Sequence, residues 1–147
     1  MSLVDLEEEF QNAIIERSNY EQEIKRAERL LEALRSIFTY EKIKRYEIVA
    51  PIKFKCSREE HVEHGIDLIG LRFLHKHKDG SWDYGEDDVG AVSMLKIIFN
   101  NVEELINAVK NFREKEREKV KEVKEFLDRV EEALQPILIA KNIKPKP

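Results

Sequence analysis

Residues 71–84 read LRFLHKHKDGSWDY, and the Asp79-Gly80 pair in the middle decides the fold. Asp-Gly between two runs of strand-compatible residues is a signal for a two-residue type I′ hairpin. Such a hairpin sets Lys78 opposite Ser81, His77 opposite Trp82, Lys76 opposite Asp83 and His75 opposite Tyr84. Strand side chains alternate between faces, so Phe73, His75, His77, Trp82 and Tyr84 are expected together on one face of a sheet.

The rest of the sheet follows outward from that turn. Residues 66–77 (IDLIGLRFLHKH) supply the first hairpin arm and residues 81–84 begin the return strand. Upstream, residues 46–56 (YEIVAPIKFKC) set Ile52, Phe54 and Cys56 against Lys53 and Lys55, the alternation of a half-buried strand. Pro51 cannot donate to a ladder, which assigns this strand to an edge or a bulge. The polar residues 57–65 read as a connection. Downstream, residues 85–90 (GEDDVG) read as an acidic turn and residues 91–99 (AVSMLKIIF) as a further strand. Four strands in sequential order predict an antiparallel meander.

Helices are expected on both sides. Leu3, Leu6, Phe10, Ala13, Arg17, Tyr20, Ile24, Ala27, Leu31, Leu34 and Phe38 recur at alternating steps of three and four, which is a heptad seam interrupted at Arg17. With no Gly or Pro, this predicts one helix over 3–45, and extra apolar residues at Ile14, Ile15, Leu30, Ala33 and Ile37 widen its stripe beyond a two-stranded seam. After Asn100 and Asn101, Glu103 and Glu104 suit a first helical turn. Val102, Leu105, Ile106, Val109 and Phe112 make the start of that helix amphipathic, and residues 113–119 carry no apolar side chain. The seam resumes as Val120, Val123, Leu127, Val130, Leu134 and Ile137, a leucine zipper, with Pro136 expected to end or kink it.

The expected fold is therefore α+β: a four-stranded antiparallel sheet flanked by a long N-terminal helix and a long C-terminal helix ending in a zipper. Residues 1–112 form the α+β domain, 113–140 an oligomerisation helix and 141–147 a flexible tail. Phe10, Tyr20, Ile24, Leu31, Leu34, Val120, Val123, Leu127, Val130 and Leu134 are the expected self-association residues, in a homodimer or homotetramer.

Composition narrows the functional classes. The chain has 147 residues, 38% of them charged, and a net charge of -4, so there is room for one modest core and no global field that attracts polyanions. High charge content accords with a thermophilic source and with solvated helices. Apolar runs are too short for a membrane span, the start of the chain is acidic, and Cys56 is the single cysteine, which together read as cytoplasmic with no disulfide framework. No phosphate-binding glycine loop, nucleophile elbow or zincin motif occurs, so neither catalysis nor a cofactor is expected. His61, His64, His75, His77 and Cys56 are residue types that zinc accepts; the connection holding His61 and His64 has no fixed position from sequence, and no metal is expected.

The aromatic set carries more information. Rings on one sheet face can stack with unpaired bases at roughly 1–3 kcal/mol per base. Phe73, His75, His77, Trp82 and Tyr84 are the candidate platform, with Lys53, Lys55, Arg72, Lys76 and Lys96 as candidate phosphate contacts. In length, in helix-sheet-helix order and in its terminal zipper the chain resembles the ThermoDBP proteins, thermophilic archaeal single-stranded DNA-binding proteins. Residues 71–112, with Lys78-Asp79-Gly80-Ser81-Trp82 and Gly90-Ala91-Val92-Ser93, also look like the sheet-to-helix unit of coactivators of the positive-cofactor type. Both resemblances imply non-catalytic binding of single-stranded DNA or RNA, in dimers or larger assemblies. The alternative expectation is a prefoldin-like scaffold whose sheet binds protein.

Overall fold

The computed structural model describes residues 2–53, 61–85 and 89–142. It is an α+β helix-sheet-helix protein, with a long N-terminal helix, a four-stranded antiparallel sheet and a long C-terminal helix. The chain divides into two units, Met1–Ala108 and Val109–Pro147, and the sheet lies in the first. No helix is long and apolar enough to cross a membrane.

Helix α1 (Leu3–Ile37) starts at a capping box. Ser2 Oγ accepts from the Asp5 N–H at 3.2 Å, and the Asp5 carboxylate accepts from the Ser2 N–H at 3.0 Å. It ends at Ile37, eight residues short of the expected 45. Around that point Ser36 Oγ donates to the Ala33 carbonyl and Thr39 Oγ1 to that of Ser36, local bonds that compete with helix propagation. Phe38 then leaves helical geometry, and its carbonyl accepts from the Gly70 N–H at 2.7 Å. The interruption is therefore tertiary: a turn of the sheet takes the carbonyl that another helical turn would have used.

The strands are β1 (Val49–Ile52), β2 (His61–Asp67), β3 (Arg72–His77) and β4 (Trp82–Tyr84), paired in sequential order. Pro51 lies on the edge strand β1, as its missing N–H requires. The four-strand meander is present, but two of its strands differ from expectation. Residues 61–65, expected as connection, belong to β2. The run 66–77 breaks at a turn over 68–71, where Gly70 (φ +77) and Leu71 (φ +49) are both left-handed. The Asp67 carboxylate accepts from the Ile69 N–H at 3.1 Å, so the signal was an Asx-type turn followed by glycine, masked by apolar Leu68 and Ile69. Leu71 holds a conformation unfavourable for a non-glycine residue while its side chain is buried in the core.

Residues 91–99, expected as a strand, lie in helix α2 (Ala91–Asn100) with Gly90 as N-cap. Ala91, Met94, Leu95 and Ile98 all meet the core, and their spacing of three and four is helical, a signal that the β-compatible composition of the segment masks. Helix α3 (Val102–Ala140) follows after one residue, with Glu103 and Glu104 in its first turn. It runs through Pro136 without ending there. The tail beyond residue 142 lies outside the described residues.

The core collects Ala50, Ile66 and Phe73 from one sheet face, Leu71 from the turn, and Leu31, Met94, Ile98 and Leu105 from the three helices. Burying each large apolar side chain contributes about 1.5–3 kcal/mol. Leu31 is 6% exposed and Leu34 packs against the same cluster. Both are therefore taken by this chain's own core rather than left for self-association, because α1 must cover the sheet along its C-terminal half. Phe10, Tyr20, Val120, Val123, Leu127 and Leu134 are exposed, while Ile24 and Val130 are intermediate.

Candidate functional site

The hairpin joining β3 and β4 sets the composition of each sheet face. Its loop has three residues, Lys78, Asp79 and Gly80, closed by the His77 N–H donating to the Ser81 carbonyl at 2.9 Å and the Gly80 N–H donating to that of His77 at 3.0 Å. Asp79 Oδ1 accepts from Ser81 Oγ at 2.6 Å and from the Ser81 N–H at 2.9 Å. These bonds, the hydroxyl's first, hold the Asp79 carboxyl below its ordinary pKa. Gly80 takes φ +91, open to glycine at no steric cost. The extra loop residue shifts the pairing to Lys76 with Trp82, His75 with Asp83 and Leu74 with Tyr84.

One residue of register moves a whole strand's side chains to the other face. Phe73, His75 and His77 therefore do not share a face with Trp82 and Tyr84, and the five-ring platform is corrected. Phe73 is 1% and His75 4% exposed, on the helix-packed face with Ile66 and His64. Their rings form an internal aromatic cluster: His64 stacks on Phe73 at 5.6 Å, and His75 meets Phe73 edge-on at 5.8 Å. The His75 ring fills the space beside Gly85, where a Cβ would collide with the imidazole. Half-buried His77 lies 3.8 Å from Asp83. Among the described residues no group of three or more His, Cys, Asp or Glu could hold a metal ion; Cys56 and the His61 side chain lie outside them.

The opposite, outer face brings Trp82 and Tyr84 together with Arg72 and Lys76, all half-buried. Lys76 Nζ stands 5.6 Å from the centre of the Trp82 ring and 3.7 Å from Glu63. The indole extends across the strands to Gly65, where a Cβ would come to 3.3 Å from it. A second group sits alongside. Tyr46 and Tyr84 rings lie 5.4 Å apart, with the Arg45 guanidinium 5.5 Å from both. Cation–ring contacts of this kind are worth about 0.5–1 kcal/mol where exposed.

Asp67, fully buried, ties this group to the fold. Its carboxylate accepts from the Tyr46 N–H at 3.0 Å, the Ile69 N–H at 3.1 Å and the Tyr84 hydroxyl at 3.1 Å. Burial raises its pKa, against the opposing pull of those donors. Burial and then the charge of Asp67 push the Tyr84 phenol up to about 12, so at neutral pH Tyr84 is a fixed donor and a neutral ring.

Of the expected phosphate contacts, Arg72 and Lys76 are on the outer face and Lys53 is exposed just past β1. Lys55 lies outside the described residues. Lys96 is on α2, beside Glu23 and Arg26 of α1, and does not join the sheet-face group because its segment is a helix. Arg45, Tyr46, Gly65 and Asp67 were missed. Tyr46 enters through a left-handed backbone (φ +69) in the α1–β1 connection, for which no periodicity gives a signal.

Compared with known proteins, the chain matches no family model, no curated protein and no solved structure.

Proposed function

We propose that this protein binds single-stranded nucleic acid, DNA or RNA, on the outer face of its sheet, without catalysis and without strong sequence preference. The observation that carries this reading is the pairing of rings with cations on the face opposite the helix-packed core: Trp82 with Lys76, and Tyr46 and Tyr84 with Arg45. Bases stack on the ring faces while guanidinium and ammonium groups meet phosphates. With net charge -4, binding depends on this local cluster and weakens steeply with salt. The reading keeps the function that the ThermoDBP resemblance implies and moves it from His75 and His77 to Tyr46 and Arg45. It includes self-assembly through the apolar seams left exposed on α1 and α3, and a cytoplasmic setting in which Cys56 stays reduced.

Trp82 is the only tryptophan, so its emission reports on the site. Titration with single-stranded DNA or RNA should quench it, and duplex of equal length should do so much less, because its bases are already stacked. Absence of quenching and of anisotropy change at low salt would overturn the reading in favour of a protein-binding scaffold.

A further inference from the structure

The apolar stripe of α3 is complementary to itself. Its heptad a and d positions are Val120, Val123, Leu127, Val130, Leu134 and Ile137, all exposed except half-buried Val130. Within that stretch the e positions hold Lys124 and Glu131, and the g positions hold Phe126 and Ala133. One flank of the seam is therefore charged and the other apolar, with Phe126 57% exposed. Residues at these flanking positions choose partner and orientation in coiled coils.

We infer that two copies of the chain pair their α3 helices antiparallel, about a twofold axis centred on Leu127 and Val130. Antiparallel helices set a against d, e against e and g against g. Leu127 then meets Val130, Val123 meets Leu134 and Val120 meets Ile137, so the seam covers itself from end to end. On the apolar flank Phe126 meets Ala133, a large ring opposite a small side chain. On the charged flank Lys124 meets Glu131. The same register continues beyond the apolar stretch: Glu116, the preceding d position, faces Lys141, the next a position, whose N–H still donates to the Ile137 carbonyl at 3.0 Å. Each contact is made twice, and a twofold interface of this kind is satisfied at two copies.

Charge disfavours the rival arrangements. Parallel α3 helices would set Lys119 against Lys124, Glu116 against Glu116 and Lys141 against Lys141. Slipping the antiparallel pair by one heptad would oppose two copies of Lys124 in one direction and two copies of Glu131 in the other. Like charges brought together across an interface oppose association. In the proposed register the facing charges are all of opposite sign. Every contact lies between residues 116 and 141, within the unit Val109–Pro147, so the pairing requires no particular placement of the unit Met1–Ala108.

This inference rests on the self-assembly part of the proposed function, and is tested on the full chain in a Cys56→Ala background. Facing a and d positions can be bridged by a disulfide, so Val123→Cys combined with Leu134→Cys should give a covalent dimer on oxidation. Each single variant should not, because two copies of the same position lie about 16 Å apart along the antiparallel pair. Efficient cross-linking of a single variant overturns the pairing in favour of parallel helices, and no cross-link in the double variant overturns it in favour of another occupant of the seam, such as α1 of a second copy. Light scattering separates the two levels: an oligomer without the cross-link removes the pairing alone, and a monomer at micromolar concentration removes self-assembly as well. Charge reversal gives an independent sign. Lys124→Glu should raise the dimer dissociation constant about tenfold by opposing Glu131, and adding Glu131→Lys should restore it. Tighter association of Lys124→Glu, as expected where Lys119 faces Lys124 in parallel helices, overturns the pairing, as does failure of the rescue in a helical protein.

Discussion

The two faces of the sheet hold nearly the same kinds of side chain and use them oppositely. The inner face buries Phe73 in the core it shares with three helices, and the buried rings of His64 and His75 pack against Phe73. On the outer face Trp82, Tyr84 and Tyr46 sit beside Lys76 and Arg45. Aromatic composition alone therefore says little about a binding surface. What separates the faces is the set of neighbours: the inner one meets aliphatic side chains of the helices, whereas on the outer one, although Leu74 is itself buried, the rings meet cations.

Substitutions can break this contrast. The largest effect is expected at Phe73→Ala, which should cost about 3–5 kcal/mol of stability as measured by urea denaturation; a cost below 1 kcal/mol would mean that the inner face is not core. Gly85→Ala should cost about 1–3 kcal/mol by forcing the His75 ring aside, with no change in the emission of Trp82 in the folded protein. On the outer face Trp82→Ala should instead weaken single-strand binding by about 1–3 kcal/mol with little change in the salt slope. Unchanged affinity in that folded variant would place the strand elsewhere.

Smaller effects sharpen the role of the buried carboxylate. Tyr84→Phe removes the hydroxyl donor to Asp67 and should cost about 1.5 kcal/mol at neutral pH. The folded phenol is raised from 10.0 to about 12, so its contribution is complete below pH 10 and is lost as pH rises from there through 12. Thermal melts of wild type and Tyr84→Phe should therefore converge over that window, and a constant difference would contradict the Asp67 contact. Least of all, Lys76→Ala should lower affinity similarly for every base composition and flatten the salt dependence by about 0.7 of a unit in the log–log slope.

Legibility in the sequence followed the range of the interactions. Heptad spacing announced α1 and α3, because a helix repeats its own geometry every turn. Pro51 announced an edge strand, because a missing N–H is a property of one residue. Asp79-Gly80 marked the turn correctly, yet whether the loop took two residues or three depended on the Asp79 carboxylate capturing Ser81. That single residue of register exchanged the faces of Trp82 and Tyr84 relative to His75. The helical nature of residues 91–99 was present in the spacing of Met94, Leu95 and Ile98 but needed the core to select it over a strand.

By itself, then, the sequence determined the helix-sheet-helix order, an antiparallel sheet and the ring-bearing hairpin, which rest on periodicity and turn chemistry, while the segments that make up the sheet were legible only in part, since 61–65 joins β2 and 91–99 is helical. Only the tertiary structure decided where α1 stops, which rings are core, and that Arg45, Tyr46 and Asp67 join Tyr84. Those outcomes depend on hydrogen bonds such as Gly70 to Phe38 and Tyr46 to Asp67, made between residues 32 and 21 positions apart. No local pattern encodes such a bond, because each partner is set by where the rest of the chain has already packed.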